Sequence, residues 1–149
     1  MIGFDDLKVV TVLPPQLKNN GAFAGNTYVD THKAGSCRFL FLVGETDAAV
    51  GSTDAAHALK IEECDTTNGQ YTDVENAALS AVIAANDDNL NFAIDIDLRK
   101  THKRYMRPNA PTADNQTTGC NLTILAILGD LEVAPDSAAE RGLEEHIHA

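Results

Sequence analysis

The strongest pattern in the chain runs from Leu90 to Leu98. Leu90, Phe92, Ile94, Ile96 and Leu98 are apolar, and Asn91, Ala93, Asp95 and Asp97 fall between them. Side chains on a strand alternate faces, so this spacing predicts a strand with one dry and one wet face. Residues two apart on a helix lie roughly 200° apart, so a helix could not gather the five. An earlier stretch alternates too. His57, Leu59 and Ile61 oppose Ala58, Lys60, Glu62 and Cys64. The turn Asp65–Gln70, with Asn68-Gly69 at its centre, follows, and Tyr71–Val74 restarts an extended segment.

The remaining elements are shorter. Leu7–Leu13 is β-branched and predicts a first strand, which Pro14-Pro15 should end. Gln16–Gly25 reads as an exposed loop, and Asn26–Thr31 as a short strand with Tyr28 and Val29 on opposite faces. Cys37–Val43 is apolar throughout after Arg38, as a strand covered on both faces would be. Gly44–Asp54 reads as a loop, and the alanine-rich Asn76–Ala85 as irregular. Tyr105–Arg107 continues as a strand that Pro108 and Pro111 break, and Cys120–Leu128 is a last long strand. Asp136 or Ser137 is placed to cap a short C-terminal helix.

Seven or eight strands, with turn signals every 8–15 residues or so, predict an all-β fold. The expected architecture is an antiparallel two-sheet β-sandwich, jelly-roll-like or alternatively immunoglobulin-like, with extended N- and C-terminal arms. Residues 1–25 would form an N-terminal strand and arm, 26–130 the sandwich, and 131–149 a C-terminal arm or short helix, within one domain overall. The core would come from Phe39/Phe41, Leu59/Ile61, Phe92/Ile94/Ile96 and Leu122/Ile124.

Charge narrows the function classes. Across 149 residues, 22 acidic side chains face 11 basic ones, a net charge of −11. Nucleic acid is therefore an unexpected partner, because affinity for phosphate comes mainly from Lys and Arg. An anionic membrane is unexpected for the same reason. A basic protein surface would be electrostatically welcome. No apolar run approaches the roughly 20 residues that span a bilayer. The first residues lack the pattern of a signal peptide, so synthesis in the cytoplasm is expected. The three cysteines, Cys37, Cys64 and Cys120, form no CxxC pair and read as free thiols. Cys64, on the wet face, would be the best placed for a disulfide between subunits.

No catalytic constellation stands out, and no cofactor is expected. The pairs Asp5-Asp6, Glu62-Glu63, Asp87-Asp88 and Glu144-Glu145 sit by turns or chain ends and read as solvated charge. Asp95 and Asp97 share a strand face about 7 Å apart, a spacing a glycosidase could use, though an exposed sheet face is the simpler reading. His146-Ile147-His148 is a weak metal signal, and no metal site is expected. His57 reads as a core-edge histidine. Arg99, Lys100, Lys103 and Arg104 around His102 form the one dense basic patch, which could grip an acidic partner or pair within the chain.

Several motifs carry a resemblance. From Asp47 to Val50, and from Leu59 through Asp65-Thr66-Thr67-Asn68-Gly69-Gln70-Tyr71-Thr72-Asp73-Val74, the chain resembles a family of small tailed-phage structural proteins. Those proteins carry an S-D-D-G-x-x-[FY]-x-D-V hairpin, an alanine-rich piece, a D-D-N turn, an alternating strand and a basic [KR]-R-Y-[VM]-R strand. The matching pieces here are Asp87-Asp88-Asn89, Phe92–Asp97, Lys103–Arg107 and the A-I-L-G end of Leu122–Gly129. The likeness covers about residues 34–130. It implies a β-sandwich capsid decoration or cement protein, bound to the major capsid protein on the virion surface and to itself as a dimer or trimer. The first 25 residues and the tail after Asp130 depart from the family. Partner-contact candidates are Phe4, Leu17, Leu131 and Val133 in the terminal segments, and Arg99, Lys100, Lys103 and Arg104 in the basic patch. A head–tail joining or tail protein is the nearest alternative. A carbohydrate-binding sandwich is disfavoured by the lack of Trp and the few Tyr, and a hydrolase still more.

Overall fold

The computed structural model describes residues 4–19, 27–51, 59–80, 83–109, 117–145 and 147. Among these, eight strands form after a single 3-10 turn at Phe4–Asp6. They are β1 (Lys8–Lys18), β2 (Val29–Asp30), β3 (Ser36–Thr46), β4 (Lys60–Cys64), β5 (Thr72–Ala78), β6 (Asn91–Asp97), β7 (Tyr105–Asn109) and β8 (Cys120–Gly129).

The strands make two four-stranded sheets, in the orders β1-β8-β3-β6 and β2-β7-β4-β5. Every pairing is antiparallel. The pairs β1–β8, β2–β7, β3–β6 and β4–β5 describe one long hairpin that closes at the turn after Cys64. Rolling that hairpin into two layers adds β3–β8 and β4–β7. This order is the jelly roll, two interleaved Greek keys. An immunoglobulin sandwich does not pair its first and last strands this way.

The core fills the space between the sheets. Phe39 and Phe41 of β3 and Leu122 and Ile124 of β8 face Ile61 of β4 and Met106 of β7, all fully buried. Ile94 and Ile96 of β6 join them, while Phe92 and Leu98 pack at the margin and Leu90 is exposed. The strongest alternation in the sequence is thus a real strand with its predicted dry face inward.

Several expectations change. β1 is an integral edge strand, so the N-terminal segment is not a free arm over 8–18. It runs straight through Pro14-Pro15, with register shifts between Thr11 and Leu13 and between Leu13 and Gln16. Both prolines are exposed on an edge, where bulges absorb a missing N–H. Pro108 is likewise inside β7. The β2 ladder reaches only Tyr105 and Met106, so it makes no demand on Pro108. β5 extends to Ala78, and Val50 and Ile83 form a bridge beyond it. The expected helix after Asp136 is a single turn. Glu140 N donates to Ser137 Oγ at 3.3 Å, and Asp136 N donates to Glu140 Oε2 at 2.7 Å. Gly142, at φ 77°, then ends the turn before a second can form.

Candidate functional site

The four basic candidates enter the structure from two places. The turn after β6 supplies Arg99 and Lys100, and the approach to β7 supplies Lys103 and Arg104. Three of the four are engaged within the chain. Arg99 Nε donates to Asp97 Oδ1 at 2.8 Å, and Lys103 Nζ to Thr72 Oγ1 at 2.8 Å. Arg104 donates through Nε and Nη2 to both carboxylate oxygens of Asp30, at 2.9 and 2.7 Å. That fork holds the Asp30 carboxyl below its ordinary range, with the Arg104 hydrogen bond the largest cause. Of the four, only Arg99 and Arg104 form ion pairs among the described residues. The patch therefore ties β2, β5, β6 and β7 together at one end of the sandwich.

Between these cations lies a part-buried polar contact. His102 Nδ1 and Glu63 Oε2 stand 3.0 Å apart, with side-chain exposures of 17% and 15%, and Lys103 N donates to the same oxygen at 3.1 Å. Glu63 follows Ile61 in the alternation, so it points to the dry face, and these donors satisfy it there. Glu62 points outward and accepts from Arg107, whose guanidinium lies 4.0 Å from the Tyr71 ring. Cys64 also points outward, yet it is buried under the turn after β4, with Thr66 Oγ1 3.9 Å from its sulfur. Buried there, it is not the exposed thiol that the alternative of a disulfide between subunits would use. Cys37, Cys64 and Cys120 are all free and buried.

Asp87 and Asp88, and with them Asp47, serve turns. Asp87 Oδ2 accepts from Ala84 N, Asp88 Oδ1 from Thr46 N, and Asp47 from Thr118 N and Gly119 N. Asp95 and Asp97 do share a face, but each is held by its own arginine, Arg38 and Arg99. Among the described residues no group of three or more His, Cys, Asp and Glu could hold a metal ion. Among the described residues no helix is long and apolar enough to cross a membrane. His57, His146 and His148 lie outside the described residues.

The terminal candidates behave differently. Phe4 is 87% exposed and Val133 74% exposed. Leu17 stands half out of β1, and Leu131 packs against the core margin. Ile147, in the tail, is 73% exposed. The tail folds back on β1, where Val9 N donates to Arg141 O at 2.7 Å.

One apolar surface was given no role by the sequence. Leu40 and Leu42 of β3 and Leu125 and Ile127 of β8 point away from the core and are half-buried. A groove of about 590 Å³ opens at one end of this face, beside Phe4, Leu7 and Ile127. The signal was present in β3 and β8, which are apolar at both parities.

Compared with known proteins, the chain matches no family model and no curated protein.

Proposed function

We propose that this chain is a non-enzymatic structural protein of a tailed-phage capsid, a decoration or cement protein that binds the outer shell and bridges major capsid subunits. The observation that carries the reading is where the large exposed apolar side chains fall. Of the seven large exposed apolar side chains among the described residues, Phe4, Leu17, Val133, Leu143 and Ile147 lie toward the chain ends, Leu17 on the edge strand β1, while Tyr28 and Leu90 lie in the middle of the chain. Apolar anchors on peripheral segments, mounted on a stiff scaffold, suit a protein held between neighbours. The sequence motifs that resemble those of tailed-phage structural proteins add support, since they fall on the β4–β5 turn, the turn before β6, and strands β6, β7 and β8.

The physical task is to oppose subunits being pulled apart as DNA fills the head. Each bridge adds apolar burial at about 25 cal/mol per Å², less the ordering costs of association. Many weak bridges act together. The net charge of −11 favours a basic shell surface.

The test replaces the anchors rather than deleting the tail, because the tail is bonded to β1 at Val9. A Phe4→Asp, Val133→Asp double variant should fold as the wild type and be lost from purified heads. Retention at wild-type copy number overturns the role of these segments.

A further inference from the structure

We propose that Asn68, in the β4–β5 turn, is a self-modification site, where the side-chain amide converts spontaneously to aspartate and isoaspartate through attack by the main-chain nitrogen of Gly69. The inference stands apart from the capsid reading and needs no partner but water.

The turn presents both reacting groups. Glu63 with Thr72 is the last pair of the β4–β5 ladder, so residues 65–69 lie beyond it. Asn68 and Gly69 are both exposed. Neither the Asn68 amide nor the Gly69 N–H has a hydrogen-bond partner among the described residues. The nitrogen is therefore not tied down as the N–H groups of a ladder are. A side chain on the residue after an asparagine crowds the nitrogen that must attack, and glycine has none. Every other described asparagine is followed by a residue that carries a side chain. Asn20-Gly21 is the chain's other such pair and lies outside the described residues.

Packing explains why the reactive pair stands here. Gly69 sits directly over Cys64. A Cβ at Gly69 would fall 2.5 Å from Cys64 Sγ and 2.5 Å from Thr66 Oγ1. The turn thus demands a glycine, and the hindrance that would protect Asn68 cannot be built in.

The chemistry needs no oxidant and no cofactor. The Gly69 nitrogen gives its proton to solvent hydroxide and bonds to Asn68 Cγ. The Cγ–Nδ2 bond breaks, and Nδ2 takes a proton from water and leaves as ammonia. The product is a five-membered cyclic imide. Water then opens the ring at one of its two carbonyls. Breaking the bond from nitrogen to Cγ leaves an ordinary aspartate. Breaking the bond to the main-chain carbonyl leaves isoaspartate, with the main chain rerouted through the side chain. Either product adds one negative charge to the turn. Isoaspartate also inserts a methylene into the main chain just before Gly69, which lifts that glycine off Cys64. The Cys64 thiol, only 6% exposed, then becomes accessible.

The test incubates the full folded chain in mildly alkaline buffer and maps its peptides by mass spectrometry over time. Asn68 should gain one mass unit at least about tenfold faster than any other described asparagine, the difference a modest fall in barrier gives. Fragmentation should show both aspartate and isoaspartate at that position. Asn68→Gln should stop the change there, because a longer side chain closes a six-membered ring far more slowly. Cys64 should react with a thiol reagent faster in the aged wild type than in aged Asn68→Gln. An Asn68 that keeps its amide in the folded chain while the denatured chain converts overturns the proposal. Conversion that leaves Cys64 as unreactive as in Asn68→Gln overturns the uncovering of the thiol.

Discussion

Arg38 and Asp95 face each other across β3 and β6, joined by two hydrogen bonds of 2.7 and 2.8 Å. The fork lowers the pKa of Asp95, chiefly through the Arg38 hydrogen bond. A lowered folded-state value adds stability that is present above the ordinary value of 3.8 and lost as pH falls through the folded one. Both side chains are more than half exposed, so the pair should contribute only about 0.2–1 kcal/mol. Asp95→Asn should therefore unfold at nearly the wild-type denaturant midpoint at neutral pH, and lose less stability than the wild type on acidification. An equal loss on acidification would show that Asp95 does not carry this term.

The tail is held by geometry that only glycine permits. Gly142 has φ 77°, and a methyl group there would fall onto the Val9 carbonyl oxygen. Gly142→Ala should cost about 1–2 kcal/mol locally and free the last turn from β1. Limited proteolysis should then cut after Pro135 while the sandwich survives. A tail protected as in the wild type contradicts this. Gly119→Ala should do wider damage, because Gly119 has φ 104° and abuts the Lys18 carbonyl where β1 meets β8.

The core and the exposed anchors should separate cleanly in stability. Phe39→Ala should cost about 3–5 kcal/mol and Ile61→Ala about 2–5 kcal/mol, since both side chains are fully buried. Val133→Ala should fall within about 0.5 kcal/mol of the wild type. Urea unfolding midpoints measure all three. A large loss at Val133 would mean that the residue packs into the fold rather than standing out as a docking anchor.

Burial pushes the Cys37 thiol up to about 12. Cys120 is raised by burial as well. A raised folded-state value means the stability is complete below the ordinary value of 9.0 and drains as pH rises toward the folded one. Thiol reagents should leave both unmodified in the native protein and label all three cysteines after denaturation. Stability should fall at alkaline pH, and less so in Cys37→Ala. Rapid native labelling of Cys37 would contradict the burial.

The sandwich was legible where one face of a strand is wet. Asn91, Ala93, Asp95 and Asp97 alternate with the core residues of β6 because that face is exposed. Proline was misleading, since its missing N–H matters only where a neighbouring strand needs it. Pro14 and Pro15 lie on an edge, and Pro108 lies past the end of β2. The C-terminal helix failed because Ser137 and Glu140 cap a turn that Gly142 ends at once. The basic patch could be seen, but its partners could not. Asp30 reaches Arg104, and Glu63 reaches His102, only after β2, β4 and β7 are side by side. The outer face of β3 and β8 was legible as apolar, yet period alone does not say what lies above it.

The proposed role is for this jelly roll to be clasped between shell subunits. Quantitative mass spectrometry of purified virions of the phage proposed to encode the chain tests that most directly. It should find the chain in hundreds of copies per particle, in fixed proportion to the major capsid protein. A single ring's worth would place it at the neck or tail, and its absence from the particle would contradict the account outright.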